Sequence, residues 1–122
     1  MKDHAPRILS ASTMIGDDVR NPAGASLGKI EEIMIDLHSG NVAYAVLSFG
    51  GIMGIGDKLF AVPWGALRVD AAEHDFVLDV DKERLENAPG FDKHDWPRSP
   101  DRTFLDEVHS YYQVEPYYTT RV

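Results

Sequence analysis

The side chains able to do chemistry in this chain are carboxylates, histidines, serines and tyrosines, because cysteine is absent. That absence excludes thiol catalysis, disulfides and thiolate metal sites together. Paired carboxylates occur at Asp17-Asp18, at Glu31-Glu32 and at Asp79-Val80-Asp81. General acid–base work needs two such groups in one cleft with displaced pKa values. Adjacent residues on a strand point to opposite faces, so Glu31-Glu32 reads as a bulge or a solvated pair. Asp17-Asp18 in a turn could hold a hard cation, but EF-hand spacing is missing. His4, His38, His74, His94 and His109 show neither His-x-His nor HExxH spacing; His94 with Asp92 and Asp95 is the nearest approach to a ligand cluster. No serine has the glycine neighbours of a nucleophile elbow. The expectation is therefore no catalytic, metal or cofactor residue.

The glycine-rich stretch Gly50-Gly51-Ile52-Met53-Gly54-Ile55-Gly56-Asp57 invites a nucleotide-binding reading. A dinucleotide fingerprint would need glycine where Leu59 stands, and a P-loop would need Lys-Ser/Thr directly after Gly56. The segment also joins two strands instead of opening a helix, so no amides are aimed at phosphate from a helix start. Ile52, Met53 and Ile55 are more informative. Exposed at a loop tip they form a patch that seeks a partner; folded back, they cover the end of the domain. Tyr111-Tyr112 and Tyr117-Tyr118 lack the interleaved Lys/Arg of a base-stacking surface and read as packing anchors with polar tips.

The elements that must position these groups are mostly strands. Ile8-Leu9-Ser10-Ala11 is a short strand candidate, and Asn21-Pro22-Ala23-Gly24 is a turn by composition. Residues 26–37 alternate apolar and polar except at Ile30-Glu31-Glu32, where a bulge is expected. His38-Ser39-Gly40-Asn41 reads as a hairpin connection. The strand that follows, to Phe49, is apolar on both faces, so both must be covered, by barrel closure or by a dimer. Lys58 to Trp64 is a strand with a proline marking an edge or an end. Residues 67–69 and 75–79 form a last pair, residues 81–86 one helical turn. Ser99-Pro100-Asp101 resembles a helix start, and Phe104, Leu105, Val108, Tyr111 and Tyr112 then recur on one helical face.

With 122 residues and a net charge of -8, the chain allows one domain with a core of its own. The acidic balance argues against non-specific nucleic-acid binding, which runs on Lys/Arg neutralising phosphates. No stretch approaches the roughly 20 apolar residues of a membrane helix, so direct membrane insertion is not expected and a cytoplasmic location is.

The central block, Gly24-x-x-Leu27-Gly28-Lys29-Ile30-Glu31 to Ile35-Asp36, Gly40-Asn41-Val42-Ala43-Tyr44-Ala45-Val46, Phe49 to Gly56 and Ala61-Val62-Pro63-Trp64-Gly65-Ala66-Leu67, resembles the PRC-barrel family. That family takes its name from the cytoplasmic domain of the photosynthetic reaction-centre H subunit; the barrel also occurs in a ribosome maturation factor and in many stand-alone bacterial proteins. This chain resembles the stand-alone group. The resemblance implies a mainly β fold, a small six-stranded barrel, frequent self-association and a role in protein contacts. It transfers no functional residue, since the matching positions are barrel-forming.

The expected organisation is a flexible N-terminus over residues 1–7, a PRC-barrel domain over 8–86, and a C-terminal loop with an amphipathic helical arm over 87–122. The expected function is a non-enzymatic interaction or adaptor module. Its partners are a second copy, in a homodimer, and an unidentified protein that is basic or membrane-associated. Ile52, Met53, Ile55, Phe104, Leu105, Val108, Tyr111 and Tyr112 are the candidate interaction residues, the helix docking on its own or a partner barrel. Alternatives are an accessory role in photosynthetic or other membrane electron transport, and ribosome assembly through a basic ribosomal protein.

Overall fold

The computed structural model describes residues 8–49, 58–70, 75–96 and 102–118. The strands follow the alternating segments: β1 (Asp18–Arg20), β2 (Ser26–Ile35), β3 (Val42–Ser48), β4 (Lys58–Val62), β5 (Leu67–Asp70), β6 (Asp75–Leu78) and β7 (Gly90–Asp92). Among the described residues three α-helices accompany them, α1 (Ala11–Met14), α2 (Lys82–Glu86) and α3 (Arg102–Tyr112), with a 3-10 helix at Trp64–Ala66 between β4 and β5. The strands form one seven-stranded sheet in the order β5-β6-β1-β2-β3-β4-β7. Neighbours are antiparallel except β1 and β6, where Val19 lies beside Phe76 and Arg20 beside Val77.

The turns have local causes. Asn21 is buried, and its side-chain oxygen accepts from the Ala23 and Ala25 amides at 3.1 and 2.9 Å while its amide donates to the Val80 carbonyl at 3.2 Å. One residue thus closes the β1–β2 turn and ties it to the chain beyond β6. At the β2–β3 turn Asp36 accepts from the His38 amide at 2.9 Å, and Gly40 takes φ +83°, a left-handed conformation that favours glycine. The expected bulge is present: Ile30 faces Leu47 and Glu32 faces Val46, leaving Glu31 over. The helical turn at 81–86 is capped by the Asp81 side chain, which accepts from the Arg84 amide.

β3 and β4 divide their side chains between two apolar clusters. Leu47 and Phe49 from β3 and its end, with Phe60 and Val62 from β4, enter the main core, where they meet Val19, Leu27, Ile30, Phe76 and Leu78. Leu85 and Ala88, from α2 and just after it, complete that core. Side chains from most of the strands converge on this one cluster. Tyr44 and Val46 of β3 with Leu59 and Ala61 of β4 point the other way, into a second cluster that includes Val108 of α3. Each such large apolar side chain removed from water contributes about 1.5–3 kcal/mol.

Several expectations are corrected. The sheet has seven strands, not six, and is not closed into a barrel among the described residues. The extra strand is Gly90–Asp92, expected to belong to a separate arm. It pairs with β4, and a Cβ at Gly90 would collide with the Leu59 carbonyl oxygen, so glycine is what admits the strand there. Residues 8–11 are not a strand. Ser10 instead caps α1, its hydroxyl accepting from the Thr13 amide, and Ile8 and Leu9 are exposed. Pro63 ends β4 as expected, but β4 is interior, between β3 and β7. Ile52, Met53, Ile55 and the Ser99-Pro100-Asp101 helix start lie outside the described residues.

Candidate functional site

The α3 residues singled out by their spacing come together on the fold, but with this chain's own sheet. Val108 is fully buried against the outer face of β3 and β4. Phe104 meets Tyr44 edge to face, ring centres 5.9 Å apart, and Leu105 packs into the same cluster with Phe91 and Trp96. Tyr111 and Tyr112, one turn on, reach the main core instead. The Tyr111 hydroxyl donates to the Arg84 carbonyl at 2.6 Å, while the Arg84 guanidinium lies 4.3 Å above the tyrosine ring and donates to the Tyr111 carbonyl. These mutual contacts clamp α2 to α3. The second apolar face of β3, expected to need barrel closure or a dimer, is covered by the chain's own helix.

The segment after α3 folds back over it. Gln113 stands at φ +56°. The Val114 amide donates to the His109 carbonyl and the Gln113 amide to the Ser110 carbonyl, both at 3.1 Å, which is a Schellman end with glutamine where glycine is usual. The reversal lays Tyr117 and Tyr118 against His109, ring centres 5.9 and 5.6 Å away. His109 is only 3% exposed, and its Nδ1 lies 2.8 Å from the Leu105 carbonyl. A carbonyl can only accept, so Nδ1 carries the hydrogen. The Tyr117 hydroxyl donates to Asp36 Oδ2 at 2.6 Å, joining the tail to the β2–β3 turn. That bond, with the backbone amides of the turn, holds the Asp36 carboxyl below its ordinary 3.8. Burial first, and Asp36 second, push the Tyr117 hydroxyl up. Burial and a bond to Asp106 push Tyr118 up to about 12.

Sequence spacing gave no sign of this latch: Asp36 and Tyr117 are 81 residues apart. His109 had a usable signal, since it stands four residues after Leu105 on the buried face of α3. Arg20 was likewise missed. Its guanidinium donates to Asp75 at 3.1 Å and to Asp70, so one arginine links β1 to both strands of the β5–β6 hairpin.

The candidate metal groups separate. Asp18 pairs with Lys29 at 2.7 Å. Asp92 accepts from the His94 amide at 2.8 Å as an ordinary exposed turn. No group of three potential ligands gathers among the described residues. Asn87, Ala88, Pro89, Glu107, Ser110 and Tyr111 line an open groove of about 430 Å3 between α2 and α3. No helix among the described residues is long and apolar enough to cross a membrane. Two hydroxyls, of Tyr44 under α3 and of Tyr112 at its end, are buried with no hydrogen-bond partner among the described residues, and burial raises both.

The motif glycine Gly28 has a steric cause. At φ +102° it lies so close to β3 that a Cβ would meet the Ser48 carbonyl oxygen. The PRC-barrel domain model matches residues 6–85, from ahead of α1 to Leu85 in α2. No curated protein matches the chain.

Proposed function

From the premise that the chain belongs to the PRC-barrel domain family, we propose that it is a non-catalytic interaction module that pairs with a second copy and holds a basic protein. The observation that carries this reading is where the reactive side chains go. Arg20, Asp36, Arg84, Asp106, Tyr111, Tyr117 and Tyr118 are each bonded across the fold to another element or another turn of it. The displaced pKa values of Arg20, Asp36, Tyr117 and Tyr118 follow from those structural contacts and from burial. Side chains so engaged hold a scaffold together; they are not poised at a substrate.

The charge of -8 supports a basic partner, whose approach an acidic surface accelerates. The test is capture of binding proteins from native lysate on the immobilised full chain, at low salt and at about 0.5 M salt, where exposed charges beyond a few ångströms are screened. A basic protein retained at low salt and released at high salt is the expected result. Retention indifferent to salt, or of acidic proteins only, would overturn the charge argument. The identity of the captured protein separates a membrane electron-transport complex from a ribosomal protein.

A further inference from the structure

We propose that the groove between α2 and α3 receives an arginine side chain of the basic partner, with the Glu107 carboxylate as its counter-ion. The proposal deepens the basic-partner reading above and rests on it.

Asn87, Ala88, Pro89, Glu107, Ser110 and Tyr111 line the groove, which is open and holds about 430 Å3. All six lie beyond residue 85, where the family match ends, so this chain's own C-terminal segment makes the site. Ala88 is buried, and Pro89 and Tyr111 are half-buried, whereas Asn87, Glu107 and Ser110 are exposed. The apolar groups thus lie deep and the polar groups form a rim. An open groove of this kind does not enclose a small molecule, as ligand pockets do. It suits a long amphipathic side chain whose stem packs on the floor while its charged head stays at the surface.

The sign of the occupant follows from the charges around the groove. Lys82 and Arg84 of α2 are matched by Glu83 and Glu86 of the same helix, so Glu107 sets the sign. The α3 positions one turn from Glu107 are Thr103, Phe104, Ser110 and Tyr111, none of them a cation able to neutralise it along the helix. Arg84 is engaged with the ring and the carbonyl of Tyr111. The choice of arginine over lysine follows from the acceptors on the rim. Asn87 Nδ2 donates to the Glu83 carbonyl at 3.0 Å, which leaves Oδ1 as an acceptor beside the Ser110 hydroxyl and the carboxylate. A guanidinium brings five donors in a planar fork, two of which fit one carboxylate in parallel, whereas an ammonium is a compact point charge with three.

The test is titration of the isotope-labelled full chain with hexa-arginine peptide at low salt, read by amide chemical shifts. The shifts should concentrate at Asn87, Ala88, Ser110 and Tyr111. Glu107→Gln should weaken binding about fivefold to tenfold, as loss of a charge-assisted bond does. Glu31→Gln, which removes the same charge from an exposed position on β2, should weaken it less than about twofold, as a distant surface charge does. Ser110→Phe fills the groove without changing charge and should also weaken binding several-fold. All three positions are exposed, and thermal unfolding of each variant checks that the fold is retained. Shifts spread over the acidic surface, equal effects of the two glutamine variants, or full binding by Ser110→Phe would overturn the groove while leaving the basic-partner reading in place. Hexalysine binding as tight as hexa-arginine would overturn the choice of guanidinium. No binding of either peptide at low salt overturns the groove and the basic-partner reading together.

Discussion

Gly28 and Gly24 both take positive φ, at +102° and +93°, yet only Gly28 has backbone in the way of a side chain. Gly24→Ala should cost about 1–2 kcal/mol, the left-handed penalty alone. Gly28→Ala adds a collision with the Ser48 carbonyl and should cost about 3 kcal/mol or more. Urea unfolding of both variants reads the difference. Gln113 inverts the logic: it bears the left-handed conformation without being glycine, so Gln113→Gly should stabilise the chain by about 1 kcal/mol. The Asp36 latch gives a pH test. Its carboxyl is held below the ordinary 3.8, first by the Tyr117 hydroxyl. The stability it contributes is therefore complete above that value and is lost as pH falls through the lower folded one. Tyr117→Phe should remove most of this acid-limb dependence, so that stability falls less steeply with acid in the variant than in the parent; an unchanged acid limb would show that the latch does not form. At this scale the sequence was partly legible. Glycines in turn motifs announce themselves, but a hydroxyl meeting a carboxylate 81 residues away leaves no mark on local spacing.

Among the elements, α3 and β3 have the clearest relation between pattern and packing. β3 is apolar on both faces, and α3 has one apolar stripe; each needs a cover, and they cover each other through Tyr44, Val46, Phe104 and Val108. Val108→Ala should cost about 2 kcal/mol from lost burial and a residual cavity. Deletion of residues 99–122 should expose Tyr44, Val46, Leu59 and Ala61 together and raise binding of an apolar dye, with a lower melting temperature. Unchanged dye binding would mean that α3 does not lie on that face in solution. The helix stripe and the two-faced strand were both visible in the sequence. Their mutual pairing was not, because an apolar face specifies that it must be buried and not what buries it. β7 was invisible for a different reason: three residues after a proline carry too few side chains for a period to register, and its place depends on the missing Cβ of Gly90 against β4.

For the molecule as a whole, Arg20 links β1 to the hairpin of β5 and β6 through Asp70 and Asp75. Arg20→Leu leaves two carboxylates facing each other across that hairpin. Its stability deficit should shrink as salt screens their repulsion; denaturant midpoints at low and high salt measure it, and a deficit independent of salt would assign the loss to packing. By itself the sequence determined the family, the mainly β class, most strand positions, the bulge at Glu31 and the helix in the C-terminal region. Those follow from period, turn chemistry and motif spacing, which act over a few residues and are written in order along the chain. Only the tertiary structure decided that the sheet has a seventh strand and does not close among the described residues, that the chain's own helix covers β3, and that Asp36, Arg20 and His109 are bonded within the fold. Those outcomes depend on which distant surfaces meet, and complementary surfaces far apart in sequence are chosen by shape and burial in three dimensions.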